Sequence, residues 1–258
     1  MNKLTWITDN FIVVSGSNVP ISKNLKHQNN QVSGVRHDSK YILFLKNMFW
    51  PFFKFLTDCT IDGFIERGIG KWIKSSINEE SVFLDIGCGN TRLYKYLPNN
   101  IIYNAFDISI SEFHLRRILY KKNVNICLSS AHKIPLKSNS VSIAASTECF
   151  RHIPDFEKAI LEMYRILKPC AILVCSNANA YSKKYQIKGP NENACNNWSY
   201  NEFVDLMERN NFKLIEGYMK GLWIPLPSWL TKASVQLPIT STEESNNTNF
   251  FYKFKVVK

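Results

Sequence analysis

The sequence lacks the features that mark secreted, zinc-binding and membrane-spanning proteins. Its 258 residues include seven cysteines, an odd number with no Cys-x-x-Cys pair, so neither a disulfide framework nor a zinc site is predicted. No apolar run reaches the length of a membrane span, and the N-terminal residues have no apolar core typical of a secretory signal. We therefore expect a cytoplasmic protein without a metal ion, long enough for one sizeable core.

Acidic residues are also scarce, since 21 Asp and Glu oppose 32 Lys and Arg and leave a net charge of +11. Such a charge attracts phosphates, nucleic acid or an anionic membrane surface, and does not by itself choose among them. The basic residues are dispersed, in pairs such as Arg116-Arg117 and Lys183-Lys184, with no dense tract. This dispersal favours solvated helix faces over a dedicated nucleic-acid surface. An anionic or phosphorylated substrate and a peripheral membrane contact both stay open.

The most informative segment that is present runs from Val82 to Thr91, where an apolar strand leads to an acid and then to Gly-x-Gly. Gly87 and Gly89 permit a positive φ and let a ligand lie against the main chain, before a helix whose first N–H groups are unpaired. A dinucleotide-binding loop would carry Gly or Ala at the position of Arg92, which argues against NAD and FAD. Asp85 at the end of the strand would favour a cationic cofactor.

A second acid follows the next strand-like run. Ile101 to Phe106 is apolar apart from Asn104 and ends in Asp107, 22 residues after Asp85. A carboxylate at that place can accept hydrogen bonds from both hydroxyls of a ribose. The glycines and the two acids together predict a nucleoside cofactor without a pyrophosphate, and S-adenosylmethionine fits that description.

Four blocks of the sequence carry a resemblance to a known family. From about residue 60 onward the chain resembles the class I S-adenosylmethionine-dependent methyltransferases, in the branch that methylates small molecules, glycans and quinones. The blocks are Leu84–Asn90, Asn104–Ser109, Ser130–Leu136 with the strand Val141–Thr147, and Leu161–Ser176. The resemblance implies an α/β, Rossmann-like, doubly wound and mostly parallel seven-stranded sheet with an antiparallel C-terminal strand.

The same resemblance implies the residues that bind the cofactor, which are Asp85, Gly87, Cys88, Gly89, Asp107, Ile108, Ser130, Ala131 and Thr147. The chain departs from the family pattern at four places. Thr91 stands where a third glycine is common, and Ser130 stands where many relatives have an Asp that receives the adenine amino group. Cys170-Ala171 replaces a pair of glycines, and Arg151 replaces a frequent Glu.

The order of elements agrees with that fold. Strands are predicted at 81–86, 101–106, 124–129, 141–147 and 171–176, alternating with helices at 92–97, 111–122, 155–167 and 200–210, which is the pattern of parallel βα units. An amphipathic helix is predicted at 60–75, and Ser199 with Glu202 predicts a capping box. The run Phe250–Val257 is expected to pair antiparallel with 213–219. We expect a methyltransferase domain at 60–258, preceded by an N-terminal appendage or lid with a flexible polar segment at 1–59.

Catalysis by such a domain requires mainly positioning of the acceptor and exclusion of water. A base is needed only if the acceptor must lose a proton, and His152, after the fourth strand, is the first candidate. A structural role in which His152 caps the helix at Asp155 is an equal alternative. Arg151 is a candidate clamp for an acidic or phosphorylated acceptor, with a surface salt bridge as its alternative. Glu148 is less favoured as a base.

The acceptor is the least defined part. We expect the aromatic segment Tyr41–Leu56 and residues 221–249 to select it, because loops at the carboxyl ends of strands set specificity. The expected reaction is transfer of a methyl group to an oxygen of a small-molecule, sugar or lipid-linked acceptor. A transfer-RNA methyltransferase, a catalytically silent partner subunit and an NAD-linked reductase on a similar fold remain as alternatives.

Overall fold

The computed structural model gives the arrangement of most of the chain. It describes residues 4–8, 10–14, 17–21, 34–36, 39, 44, 48–49, 61–121, 123–189, 193–224, 235–237 and 239–258. Most of the aromatic segment 41–56, the polar residues 22–33 and residues 225–234 lie outside this set.

Twelve strands and five helices make up the described fold. The strands are β1 Asn10–Val14, β2 Ser17–Ile21, β3 Gly34–Arg36, β4 Phe83–Ile86, β5 Tyr103–Asp107, β6 Ser109–Ser111, β7 Val124–Leu128, β8 Val141–Thr147, β9 Leu167–Ala178, β10 Phe212–Ile224, β11 Val235–Leu237 and β12 Asn247–Val256. The helices are α1 Ile61–Ser76, α2 Glu112–Leu119, α3 Phe156–Ile166, α4 Lys183–Lys188 and α5 Tyr200–Arg209.

The main sheet confirms the predicted topology. Its strands lie in the order β1-β2-β7-β5-β4-β8-β9-β12-β10-β11. The run from β7 to β9 is parallel, and β12 and β10 follow in antiparallel pairing. The predicted pairing of the C-terminal run with the strand at 213–219 is therefore confirmed. Three short strands that the prediction did not place extend this body, namely β1 and β2 at one edge and β11 at the other.

Both faces of the sheet are covered, which explains why its strands are apolar on both sides. On β12, Phe250 and Tyr252 belong to one buried cluster, together with the apolar sides of α3 and α5. Phe251 faces the opposite cluster, where it meets Phe64 of α1 with ring centroids 5.7 Å apart. This double covering leaves the carboxyl ends of the parallel strands as the open edge of the sheet, where ligands bind in such folds.

The boundaries of several elements differ from the prediction. The segment predicted as a helix at 92–97 is a 3₁₀ turn, Arg92–Tyr96, and the strand predicted at 171–176 extends over Leu167–Ala178. Within that longer strand Cys170 has φ +60°, so the backbone is left-handed at the position where the family pattern has glycine. The pairing register between this strand and β8 shifts at the same place. The capping box of Ser199 and Glu202 opens α5 as predicted.

The first described residues belong to the same core. Leu4 and Trp6 are buried, and the Trp6 indole Nε1 donates to Asn125 Oδ1 at 2.9 Å. Through β2 this N-terminal part joins the sheet at one residue pair, Ile21 with Leu128 of β7. The division at residue 59 stays a prediction. None of the helices in the described ranges is long and apolar enough to cross a membrane.

Candidate active site

The loop after β4 brings bare main chain to the open edge of the sheet. Gly87 has φ +68° and Gly89 has φ +45°, both in the left-handed region that favours glycine. The backbone N–H groups of Gly87 and Cys88 donate to the Phe106 carbonyl at 2.9 and 3.1 Å, which ties the loop to β5. A Cβ atom at residue 87 would lie 2.0 Å from Cys149 Sγ, so the chain passes too close to the β8 loop for any side chain.

Asp107 ends β5 directly beside this loop. Its Oδ2 accepts from the Gly89 N–H at 2.8 Å, and its Oδ1 accepts from the Ser109 N–H at 3.0 Å. The Gly-x-Gly loop and the second acid, which the sequence separates, are thus joined by a hydrogen bond. Each carboxylate oxygen carries more than one lone pair and can accept more than one hydrogen bond.

One cavity collects most of the predicted cofactor residues. It has a volume of about 290 Å³ and is lined by Gly87, Asp107, Ile108, Ser130, Ala131 and Thr147. The candidate base His152 lies on the wall of the same cavity, with Glu148 and Cys149. The cavity therefore brings together residues that follow β4, β5, β7 and β8.

A second cavity, of about 250 Å³, lies on the other side of the glycine loop. The remaining loop residues Cys88 and Gly89 line it, and Gly87, Thr147 and Glu148 line both cavities. Its opposite wall holds two charges that sequence reasoning did not assign to the site. Glu66 of α1 is buried and its carboxylate lies 3.0 Å from the Arg92 guanidinium and 2.9 Å from Lys95 Nζ.

Asp85 differs from the expected geometry. It lines neither of these two cavities and is buried below the loop, where the Tyr103 hydroxyl donates to its Oδ2 at 2.5 Å. Burial raises the pKa of this carboxyl from 3.8 to about 7, and the nearby charges of Asp107 and Glu66 act in the same direction, against the Tyr103 hydrogen bond. The charge of Asp85 would therefore act on a cofactor electrostatically across the loop, without direct contact between the two.

His152 is held in an orientation that suits a base. Its Nδ1 lies 2.8 Å from the Asn193 carbonyl oxygen. A carbonyl only accepts, so Nδ1 of the neutral ring carries the proton and Nε2 keeps its lone pair. The structure gives no bond between His152 and the helix that begins after Asp155, which was the alternative role.

Ser130, the predicted adenine contact, is oriented by a residue that sequence reasoning passed over. Its Oγ accepts from the His132 backbone N–H at 3.2 Å, and His132 also lines the first cavity. The sequence did contain a signal for His132, because it lies in the block Ser130–Leu136, which follows a strand at the open edge of the sheet.

Arg151 is buried and lines neither of these two cavities. Its Nη1 donates to the Tyr185 hydroxyl at 3.0 Å, and its guanidinium carbon lies 5.3 Å from the centre of the Tyr185 ring. The surface salt bridge considered from the sequence is therefore not formed among the residues that the structure describes. Within the same residues, no three His, Cys, Asp or Glu side chains are grouped to hold a metal ion.

Comparison with known proteins shows which family the central part of the chain resembles. Residues 84–175 match the family model of the methyltransferase domain. The chain is 35% identical to an uncharacterized methyltransferase of Schizosaccharomyces pombe over 39% of this chain and 41% of that protein. It is 27% identical to the malonyl-[acyl-carrier protein] O-methyltransferase of Calditerrivibrio nitroreducens over 52% of this chain and 53% of that protein. The matched region thus spans about half of these curated relatives.

Solved structures agree with the fold. A SAM-dependent methyltransferase from Methanosarcina mazei superposes with a TM-score of 0.56 at 15% identity, covering 72% of this chain and 96% of the other. At that identity the likeness concerns the architecture alone.

Proposed function

We propose that this protein transfers a methyl group from S-adenosylmethionine to an oxygen of a small-molecule, sugar or lipid-linked acceptor, and the match of residues 84–175 to the methyltransferase domain supports this proposal. The observation that carries the proposal is the first cavity. It unites the acid after β5, the glycine loop and a histidine with a free Nε2 lone pair in one space.

The residues that line the two cavities suit the two ends of this cofactor. The first cavity presents the Asp107 carboxylate to a nucleoside, with Ile108 and Ala131 as apolar surface for a base. The second cavity is lined by Glu66 and Arg92, which pair with each other and which would exchange this pairing for the ammonium and carboxylate of an amino acid. Gly87, Thr147 and Glu148, shared by both cavities, would lie beside the sulfur that joins the two ends.

The cofactor supplies a methyl group already activated on a sulfonium, so the protein needs to hold the acceptor in line and exclude water. His152 would take the proton of an acceptor hydroxyl at Nε2, since Nδ1 stays bonded to the Asn193 carbonyl. Glu148 borders both cavities and is the alternative proton acceptor on the same wall.

The test begins with isothermal titration of the full chain with S-adenosylmethionine and with S-adenosylhomocysteine. We expect saturable binding of both, and absence of binding would contradict the proposal. The second step incubates the protein with methyl-labelled cofactor and fractionated cell extract, with and without ribonuclease. Label in a ribonuclease-resistant small-molecule or lipid fraction, on oxygen by NMR of the product, is expected. Label lost on ribonuclease treatment would instead identify a transfer-RNA methyltransferase.

A further inference from the structure

The Arg151 guanidinium is a buried charge with too few partners. Arg151 is only 5% exposed, and among the described residues its guanidinium makes one hydrogen bond, from Nη1 to the Tyr185 hydroxyl. Its Nε is buried without a hydrogen-bond partner, and no carboxylate within the described part of the chain forms an ion pair with it. A buried cation of this kind is costly unless an anion completes it.

Two more buried polar groups at this edge of the sheet have unfilled hydrogen-bonding capacity. Asn177, near the end of β9, is 3% exposed, and neither its carboxamide nitrogen nor its oxygen has a partner. Ser182, which precedes α4, is fully buried with an unpartnered hydroxyl. Buried polar groups nearly always find partners, so Arg151, Asn177 and Ser182 each keep hydrogen-bonding capacity that is available to a ligand.

The topology brings Arg151 and Asn177 to the ends of two neighbouring strands. β8 and β9 are neighbours, with Thr147 opposite Ser176, so the turn containing Arg151 and the residue Asn177 follow the same pair of strand ends. Asn177 is paired with Phe250, whose ring belongs to the same buried cluster as Phe150, the residue before Arg151. Ser182 is linked to this region through α4, because it precedes the helix whose Tyr185 contacts the Arg151 guanidinium.

The position is next to the proposed site of transfer. Arg151 and His152 belong to one 3₁₀ turn, Phe150–His152, and His152 lines the first cavity. An acceptor whose hydroxyl reaches His152 can therefore extend another group toward Arg151. Resting on the proposed function, we propose that Arg151, with Asn177 and Ser182, binds a carboxylate or phosphate of the methyl acceptor.

The Tyr185 hydroxyl accepts the hydrogen bond from Arg151 that an anionic group of the acceptor would replace. Its hydroxyl is a neutral acceptor that meets one guanidinium nitrogen, whereas a carboxylate or phosphate can engage two with charge assistance. The side chain is half-buried on a short helix, so it can move aside with a change of rotamer. Removing the hydroxyl should therefore strengthen anion binding, an effect that a purely structural Arg151 would not produce.

The experiment titrates inorganic phosphate, and separately malonate, into the full-length protein saturated with S-adenosylhomocysteine, at constant ionic strength. Cofactor affinity is measured first without either anion, so that failure of the proposed function is seen separately. We expect Arg151→Met to weaken anion binding by about tenfold or more and Tyr185→Phe to strengthen it by about threefold, with cofactor affinity unchanged. Lys183→Met, which removes an exposed positive charge from the same helix, is the matched control and should change little.

Preference for phosphate over malonate would assign a phosphorylated acceptor, and the reverse a carboxylate. Equal anion affinity in the wild type and Arg151→Met would overturn the proposal, as would undetectable binding of both anions. If Arg151→Met does not fold, Tyr185→Phe decides the question. Anion affinity in Tyr185→Phe that is equal to or weaker than in the wild type would contradict an anion site at Arg151.

Discussion

The raised pKa of Asp85 gives a quantitative prediction about the base of the cofactor loop. Asp85→Asn keeps the shape of the side chain and its ability to accept from the Tyr103 hydroxyl, but removes the carboxyl that titrates. The orphaned Oδ1 position becomes a buried amide nitrogen without a partner, so we expect a constant penalty of about 1–2 kcal/mol at all pH values. The informative quantity is how the difference between variant and wild type changes with pH.

The sign follows from proton linkage. The pKa of Asp85 is 3.8 in an ordinary environment and about 7 in the folded protein, so between these values the folded state binds more protons than the unfolded state. The free energy of unfolding contributed by Asp85 therefore falls as pH rises through this window and is constant above about pH 7. At about 1.4 kcal/mol per pKa unit, the total loss is on the order of 4 kcal/mol.

Urea unfolding measured from about pH 4 to about pH 8 tests this linkage. The wild type should lose stability relative to Asp85→Asn across the range, and the other carboxyl groups cancel in the difference between the two proteins. Asp205→Asn, at an exposed position on α5, controls for the loss of one negative charge. Parallel stability curves for the wild type and Asp85→Asn would refute the argument that Asp85 is buried and protonated near neutral pH.

The same variant tests the attraction of Asp85 for a cationic cofactor. The sulfur is positively charged in S-adenosylmethionine and neutral in S-adenosylhomocysteine. If the ionised Asp85 acts on the sulfonium through the loop, the affinity ratio of the two ligands should rise with pH in the wild type and stay flat in Asp85→Asn. A flat ratio in both proteins would remove Asp85 from cofactor recognition.

Three further substitutions address the site directly. Gly87→Ala should weaken cofactor binding in calorimetry by about tenfold or more, because the new methyl group meets Cys149. Gly189→Ala, which also has a positive φ but has open space and lies outside both cavities, is the control, and equal effects would count against a steric block. Asp107→Ala should weaken binding of S-adenosylhomocysteine by about 2–4 kcal/mol, through loss of charged hydrogen bonds, and an unchanged affinity would exclude Asp107 from the site. His152→Ala should lower turnover by about 10²–10⁴-fold with cofactor affinity retained, and normal turnover with the true acceptor would end its assignment as a base.

The cofactor side of the site could be predicted from the sequence because short local patterns at the ends of the parallel strands determine it. A parallel strand ends at the open edge, so glycines after β4 and an acid at the end of β5 are brought together by the topology alone. The hydrogen bond from the Gly89 N–H to Asp107 follows from this arrangement of strand ends. Six of the nine predicted cofactor residues consequently line one cavity, and Cys88 and Gly89 line the next.

The features that the sequence did not predict depend on contacts between distant elements. Asp85 follows the same local pattern, but β4 is buried on both faces. The hydrogen bond from the Tyr103 hydroxyl to Asp85 depends on β5 lying beside β4, which the local sequence does not show. Glu66 and Arg92 belong to two separate predicted helices, at 60–75 and 92–97, and nothing in the sequence indicates that they meet. The partnership of Arg151 with Tyr185 spans 34 residues and forms through α4, a helix that the sequence analysis did not identify.

The backbone around the two cavities also bears on whether this domain is catalytic. Thr91 and Glu148 adopt left-handed conformations, with φ of +55° and +54°, although neither is glycine. Each such residue costs on the order of 1 kcal/mol or more. Glu148 is held there by its N–H bond to the Ser176 carbonyl at 3.1 Å, at the point where its side chain borders both cavities. A domain that served only as a scaffold would gain stability from glycine at these turns, so strain retained beside the cavities favours an enzyme over a silent partner subunit.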